Sequence, residues 1–97
     1  MFILELTYTN PERVDDVVGD HMAWIKTQFS AGRFLASGRK VPRDGGVIIA
    51  VGDSRADIEA LAATDPFVTQ DVAVYRITEF LATTTAAALE SYRQQSV

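Results

Sequence analysis

The first residues of the chain alternate between large apolar side chains and others. Phe2, Leu4 and Leu6 fall on one side of an extended segment, while Glu5 and Thr7 fall on the other. This period of two predicts a β-strand over residues 2–8. Three further segments predict strands on the same grounds, and they cover residues 33–40, 47–51 and 72–81.

Apolar residues recur at helical spacing after the first strand. Asn10 and Pro11 are typical of a helix start, as the N-cap and the first helical residue, and Gly32 is typical of a helix end. One face of this predicted helix carries the apolar side chains Val14, Val17, Val18, Met22, Ile25 and Phe29. Ser54 and Asp57 resemble a capping box and predict a second, short helix.

The predicted elements follow one another as βαββαβ. This order predicts an α+β, ferredoxin-like fold, in which both helices cover one face of a four-stranded antiparallel sheet. Asp44-Gly45-Gly46 is predicted to form the tight connection between the second and third strands. Both alternating sets of strand residues include large apolar side chains. We therefore expect a second copy of the sheet to cover the helix-free face, giving a homodimer through sheet-to-sheet packing.

The segment after the last predicted strand is weakly amphipathic. Its few apolar positions, Ala87, Leu89 and Tyr92, predict a third helical segment that lies outside the main core. The chain is accordingly divided into one domain over residues 1–82 and a C-terminal helical tail over residues 83–97.

Composition limits the classes of protein to consider. The 97 residues, 47% hydrophobic and 23% charged, are typical of one soluble globular domain and exclude a disordered chain. The absence of cysteine, with no signal-like segment at the N-terminus, favours the cytoplasm. No apolar stretch approaches the roughly 20 residues that a membrane span needs. The net charge of −4 disfavours nucleic acid as a partner.

The single histidine lies in the middle of the apolar face of the first helix. His21 is seven residues after Val14 and four before Ile25, which directs it towards the core. Because imidazole exchanges a proton near neutral pH, His21 is a candidate general base. The alternative interpretation is a core histidine that is hydrogen-bonded to a main-chain carbonyl or a carboxylate.

Four short motifs occur in a fixed order along the chain. They are His21 in the first helix, Ser37-Gly38 in the second strand, Asp44-Gly45-Gly46 before the third, and Asp65-Pro66-Phe67 after the second helix. In this order and spacing the sequence resembles the YCII-related family of the dimeric α/β-barrel group. The resemblance implies a dimer whose sheets pack face to face, and a pocket between sheet and helices in which His21 and Asp65 form a catalytic pair.

The sequence departs from the family pattern in the second strand. Many relatives have Ser-Gly-Pro where this chain has Ser37-Gly38-Arg39, so a basic side chain replaces a rigid ring. The planar guanidinium of Arg39 is suited to hold a substrate carboxylate, as are those of Arg43 and Arg76.

The other candidates for substrate contact each have a structural alternative. Ser37 is a candidate hydrogen-bonding group that also fits simple strand packing. The candidate pocket walls, which also fit core or dimer packing, are Trp24, Phe67, Tyr75 and Tyr8. Asp65, followed by proline, also fits the cap of a helical turn, alone or in addition to a contact with His21.

These candidates favour an enzyme that transfers protons on a small carboxylated or phenolic molecule, with lyase, isomerase or dehalogenase-like chemistry. One histidine and no cysteine disfavour a metal site, and the lack of a glycine-rich phosphate loop disfavours a nucleotide, so we expect no cofactor. Two alternatives remain open. The first is a non-catalytic dimeric module that binds a metabolite or a partner, and the second is a cofactor-free oxygenase.

Overall fold

The computed structural model describes residues 1–95, and its centre is one antiparallel sheet. The strands are β1 (Phe2–Tyr8), β2 (Phe34–Arg39), β3 (Gly45–Ala50) and β4 (Ala73–Glu79), in the order β2-β3-β1-β4. The helices are α1 (Val14–Ser30), α2 (Arg55–Ala62) and α3 (Pro66–Thr69), and short 3-10 helices span Pro11–Arg13 and Ala87–Tyr92. The predicted ferredoxin-like α+β fold is confirmed.

The sheet buries one face beneath the helices. Leu4 of β1 lies opposite Ile48 of β3 and Ile77 of β4, so these side chains share the helix-covered face. The core on this side includes the buried residues Phe2, Leu4, Leu6, Val17, Ile25, Phe34, Ile48, Ile58, Phe67 and Val72. Burial of this apolar surface is the main stabilisation of the fold.

No helix within residues 1–95 covers the other face of the sheet. Thr7 lies opposite Val74 and Gly45, and the same alternation places Ile3 and Ile49 on this side. Val74 is 55% exposed, and Ile3 and Ile49 are half-buried. This apolar face, which we call the open face, remains uncovered in the monomer, as the sequence predicted.

Two of the three predicted helix caps are present. The side chain of Ser54 accepts a hydrogen bond from the Asp57 N–H, 3.1 Å away, and thereby caps α2. Asp65 caps α3 in the same way. The prediction for Asn10 was wrong, because its side chain accepts no capping bond and its amide faces the Glu12 carboxylate instead.

Gly45 and Gly46 belong to β3 rather than to the predicted turn. A Cβ on Gly45 would lie 1.7 Å from the main-chain oxygen of Leu6, and one on Gly46 would lie 3.0 Å from that of Gly38. The missing side chains therefore let β3 approach both neighbouring strands. The hairpin itself is confirmed, but its turn lies over residues 40–44 and contains a cis peptide bond between Val41 and Pro42.

The C-terminal tail is hydrogen-bonded to the domain through Gln94, whose N–H donates to the Ala82 carbonyl at 2.9 Å. Gln94 Oε1 accepts hydrogen bonds from the Met1 ammonium, at 2.7 Å, and from the Ala82 N–H, at 3.0 Å. The predicted longer helix was wrong over residues 83–95, where only the 3-10 helix Ala87–Tyr92 forms, because none of its residues is buried. Ser96 and Val97, the end of the predicted tail, lie outside the described residues. Within residues 1–95, no helix is long and apolar enough to cross a bilayer.

Candidate active site

A buried carboxylate marks the N-terminus of α3. Asp65 has no exposed surface, and its Oδ1 accepts a hydrogen bond of 2.8 Å from the Phe67 N–H. Pro66 occupies the first helical position, where a missing N–H costs nothing. The local sequence Asp65-Pro66-Phe67 therefore fixes the orientation of the carboxylate before any distant residue contacts it.

His21 reaches this carboxylate from the middle of α1. Its Nδ1 lies 2.8 Å from Asp65 Oδ1 and 2.9 Å from Oδ2. The imidazole stacks on the ring of Phe67, with a centroid distance of 4.1 Å and an interplanar angle of 14°. The contact between α1 and α3 thus brings His21 and Asp65 together, 44 residues apart in sequence.

Tyr75 of β4 is the third member of this group, which the sequence indicated only as a candidate pocket wall. Its hydroxyl donates a hydrogen bond of 2.5 Å to Asp65 Oδ2. Burial, the charge of Asp65 and this hydrogen bond raise the pKa of Tyr75 well above its usual value. The available signal was the alternation of the last strand, which places Tyr75 on the same side as Ala73 and Ile77. On a buried face, its hydroxyl needs a hydrogen-bond partner.

The hydrogen bonds of Asp65 determine the proton positions. The raised pKa of Tyr75 keeps its hydroxyl protonated, so this group donates to Asp65. A carboxylate only accepts hydrogen bonds, so the His21 Nδ1 must carry the proton between the two groups. In the neutral ring, Nε2 is then unprotonated and accepts a proton from elsewhere.

A cavity of about 300 Å³ lies between α1 and the sheet. Its first end, which we call the His21 end, consists of His21, Phe67 and Tyr75, with Asp65 bonded behind them. Its second end, the hairpin end, comes from β2, β3 and their connection, and consists of Ser37, Gly38, Arg39, Arg43, Gly45 and Gly46. Apolar side chains, among them Leu6, Val18, Met22 and Ile25, line the space between the two ends.

Most of the predicted substrate-contact residues line this cavity, namely Ser37, Arg39, Arg43, Phe67, Tyr8 and Tyr75. Trp24 does not. Its indole Nε1 donates a hydrogen bond of 2.9 Å to Thr64 Oγ1, and its ring packs edge-on against Phe34 at 5.5 Å. Trp24 also stacks on His21 at a centroid distance of 6.2 Å, so it supports the imidazole without lining the cavity.

Arg76 does not line this cavity, and residues 1–95 hold no group of side chains suited to bind a metal ion. Arg76 lies opposite Glu5 in the sheet, and therefore on the open face. In the part of the chain that the structure describes, no three His, Cys, Asp or Glu side chains are grouped closely enough to hold a metal ion. The chemical groups at the cavity are therefore an imidazole backed by a carboxylate, the side chains of two tyrosines (Tyr8 and Tyr75), a serine hydroxyl and two guanidinium groups.

Comparison with known proteins identifies a family and solved structures with a similar fold. The family model of the YCII-related domain matches residues 1–81. No curated protein sequence matches the chain significantly. The fold is similar to that of 5-chloro-2-hydroxyhydroquinone dehydrochlorinase (TftG) from Burkholderia phenoliruptrix AC1100, solved in complex with 2,5-dihydroxybenzoquinone. The TM-score is 0.67 and the identity 14%, over 82% of this chain and 93% of that chain, so the likeness concerns the fold.

Proposed function

This chain belongs to the YCII-related family, as its motifs predicted, and from that membership we propose that it is an enzyme that transfers a proton on a small organic molecule. His21 is the general base and Asp65 orients it. The observation that carries the proposal is the pairing of His21 Nδ1 with the buried Asp65, while the same imidazole lines a cavity of ligand size.

The proton transfer uses the free edge of the imidazole. Nε2 accepts a proton from an acidic O–H or C–H group of the substrate, and the ring becomes an imidazolium. Asp65 stabilises this cation through Nδ1, while it also accepts hydrogen bonds from Phe67 and Tyr75. Stacking on Phe67 restricts rotation of the ring, which keeps Nε2 directed at one position.

The reaction class that this group supports is elimination or isomerisation. In an elimination, a substrate proton goes to Nε2, the leaving group departs with its bonding electron pair, and the new double bond forms from the electrons of the broken bond to hydrogen. This step needs no oxidant and no covalent enzyme intermediate. Ser37 makes no hydrogen bond to a base within residues 1–95, which argues against a serine nucleophile. The fold likeness to a dehydrochlorinase supports this class by analogy.

The same proposal includes a homodimer formed through the open face. Val74, Ile3 and Ile49 leave apolar surface uncovered on a sheet whose other side is covered by the helices. A second sheet stacked on this face removes that surface from water. Sedimentation equilibrium should give a dimer, and Val74→Lys, which places a charge on the open face, should shift the protein towards monomer.

The proposed reaction is tested by proton exchange, which requires no knowledge of the product. Candidate phenols, hydroxyquinones and β-dicarbonyl compounds are incubated in D₂O with the protein, and loss of C–H signals is followed by NMR. The wild type should catalyse exchange in at least one of them, and Asp65→Asn should lose most of the rate. Asp20→Asn, an exposed carboxylate next to His21 in sequence, is the matched control and should retain the rate.

A second measurement on the same samples reports the proton position directly. Ring nitrogen shifts of the single histidine should show the neutral tautomer that carries its proton on Nδ1. In Asp65→Asn the amide can donate to Nδ1, which allows the proton to move to Nε2. If compounds bind while none exchanges a proton, the protein is a binding module. If turnover stops under argon, it is an oxygenase.

A further inference from the structure

The charge of the cavity is opposite to the charge of the chain. The protein carries a net −4, with 13 acidic and 9 basic residues. Among the described residues that line the cavity, however, Arg39 and Arg43 are cationic and none is Asp or Glu. Asp65 is held behind His21 and Tyr75, with its oxygens occupied by hydrogen bonds. The cavity is therefore a local positive site in an acidic protein.

Arg39 is placed on the cavity side of the sheet by strand register. It lies opposite Gly46, as Ser37 lies opposite Ile48, on the face that the helices cover. The ion pairs within residues 1–95 do not include Arg39. Its guanidinium donors thus have no anionic partner from the described part of the chain, and they are positioned at the cavity.

Arg43 adds a second cation that is only weakly held. Its Nη2 lies 3.8 Å from Asp15 Oδ1, and the Asp15 side chain is 89% exposed. An ion pair of this length and exposure contributes little stability, so Arg43 can turn to a ligand at small cost. The hairpin end therefore offers two guanidinium groups, while the His21 end offers the base.

We propose that the cavity binds a small organic carboxylate with an apolar, ring-sized body, and that Arg39, assisted by Arg43, is the group that recognises the carboxylate. The apolar walls between the two ends contact the body of the ligand, and its reacting hydrogen lies at His21. The placement of that hydrogen rests on the proposed function. The recognition of the carboxylate does not.

The surroundings favour a carboxylate over a phosphate ester. Phosphate sites typically use main-chain N–H groups at a helix N-terminus. At the N-terminus of α3, whose Phe67 lines the cavity, the Phe67 N–H is already bonded to Asp65. A guanidinium binds a carboxylate through two parallel hydrogen bonds, and a cavity of about 300 Å³ suits a ligand of about one ring.

The test compares two probes that differ only in the anionic group. Para-hydroxybenzoate carries a carboxylate, and para-hydroxybenzyl alcohol is its neutral counterpart of the same ring. Binding is measured by calorimetry and by the ring signals of the single histidine, at low and at high salt. The carboxylate should bind about tenfold more tightly than the alcohol, and added salt should weaken only the carboxylate.

Variants distinguish the contribution of Arg39 to binding from that of the overall charge of the protein. Arg39→Gln should weaken the carboxylate about tenfold and leave the alcohol unchanged, and Arg39→Lys, which keeps the charge, should restore part of the affinity. Arg93→Gln removes the same charge from the exposed tail and should change neither probe. Equal affinity for the two probes in the wild type, equal affinity for the carboxylate in wild type and Arg39→Gln, or no carboxylate binding at millimolar concentration would each overturn the proposal.

The same experiment distinguishes this inference from the proposed reaction. Tight, Arg39-dependent binding of para-hydroxybenzoate with no proton exchange in any carboxylate tested would uphold anion recognition and reject proton transfer. Proton exchange that is equally fast with neutral and carboxylated compounds, and insensitive to Arg39→Gln, would uphold the reaction and reject anion recognition.

Discussion

The two ends of the cavity differ in how many of their polar groups already have partners within the protein. At the His21 end, the carboxylate of Asp65 accepts from a histidine, a tyrosine and a main-chain N–H, and it is fully buried. At the hairpin end, Arg39 has no anionic partner within residues 1–95, and Arg43 has only a distant one. The first end is complete without a ligand, and the second is not.

A general base and a ligand-recognition group have different physical requirements, and the two ends fit them respectively. A general base works best when its orientation and proton position are fixed before the substrate arrives, which burial and several hydrogen bonds provide. A recognition group must exchange water for the ligand, which is easier when no internal partner has to be displaced. The comparison predicts that substitutions at the His21 end reduce stability, whereas loss of charge at the hairpin end changes binding alone.

The largest effect is expected in the main chain of the hairpin end. Gly45→Ala would place a Cβ 1.7 Å from the main-chain oxygen of Leu6, so β1 and β3 must separate. We expect a loss of about 4 kcal/mol in the free energy of unfolding, measured in urea. Gly38→Ala is the matched control, because a Cβ there has no atom within 4 Å, and it should stay within about 0.5 kcal/mol. Equal losses would show that close approach of the strands is not the cause.

The next largest effect is expected for the buried carboxylate. Asp65→Ala removes the cap of α3 and leaves the Tyr75 hydroxyl and His21 Nδ1 without their partner, which should cost about 3 kcal/mol in the free energy of unfolding. Asp20→Ala, at an exposed position of α1, is the control and should change stability by less than about 0.5 kcal/mol. A loss below about 1 kcal/mol for Asp65→Ala would mean that its three hydrogen bonds contribute little.

A smaller effect is expected for the tyrosine, and it depends on pH. Tyr75→Phe should cost about 1.5 kcal/mol near neutral pH through loss of its bond to Asp65. The raised pKa of Tyr75 keeps it protonated in the folded state, while in the unfolded state it ionises near its usual 10.0. The unfolded state therefore loses the proton first, and wild-type stability should fall as the pH rises above 10.0.

Urea unfolding across this alkaline range provides the measurement. The fall should be shallower in Tyr75→Phe than in the wild type, because the variant lacks the group whose pKa is raised. Tyr92→Phe, in the exposed 3-10 helix of the tail, is the control and should follow the wild-type slope. Identical slopes for wild type and Tyr75→Phe would contradict the role of Tyr75.

The smallest effect is expected for the two arginines of the hairpin end. Arg39→Gln and Arg43→Gln should each leave the free energy of unfolding within about 0.5 kcal/mol of wild type, because neither breaks a short ion pair. Thermal melts and urea curves provide the measurement. Destabilisation by Arg39→Gln comparable with that of Asp65→Ala would remove the contrast between the two ends.

Local sequence patterns were enough to predict the order of elements and the features that neighbouring residues control. Alternation in β1, helical spacing in α1 and the caps at Ser54 and Asp65 each depend on residues within a few positions of one another, so pattern and propensity suffice to predict them. The apolar open face was predictable for the same reason. The family motifs added the pairing of His21 with Asp65, which periodicity alone left undecided.

Tertiary structure decided what depends on packing between distant segments. Only the register of β4 against β1 brings Tyr75 to Asp65, and only the approach of β3 to its neighbours explains why Gly45 and Gly46 lie in a strand and not in a turn. Trp24 likewise contacts Thr64 and Phe34 instead of the cavity. These outcomes depend on which side chains fill the space between packed helices and strands. The local spacing of residues in the sequence does not determine this.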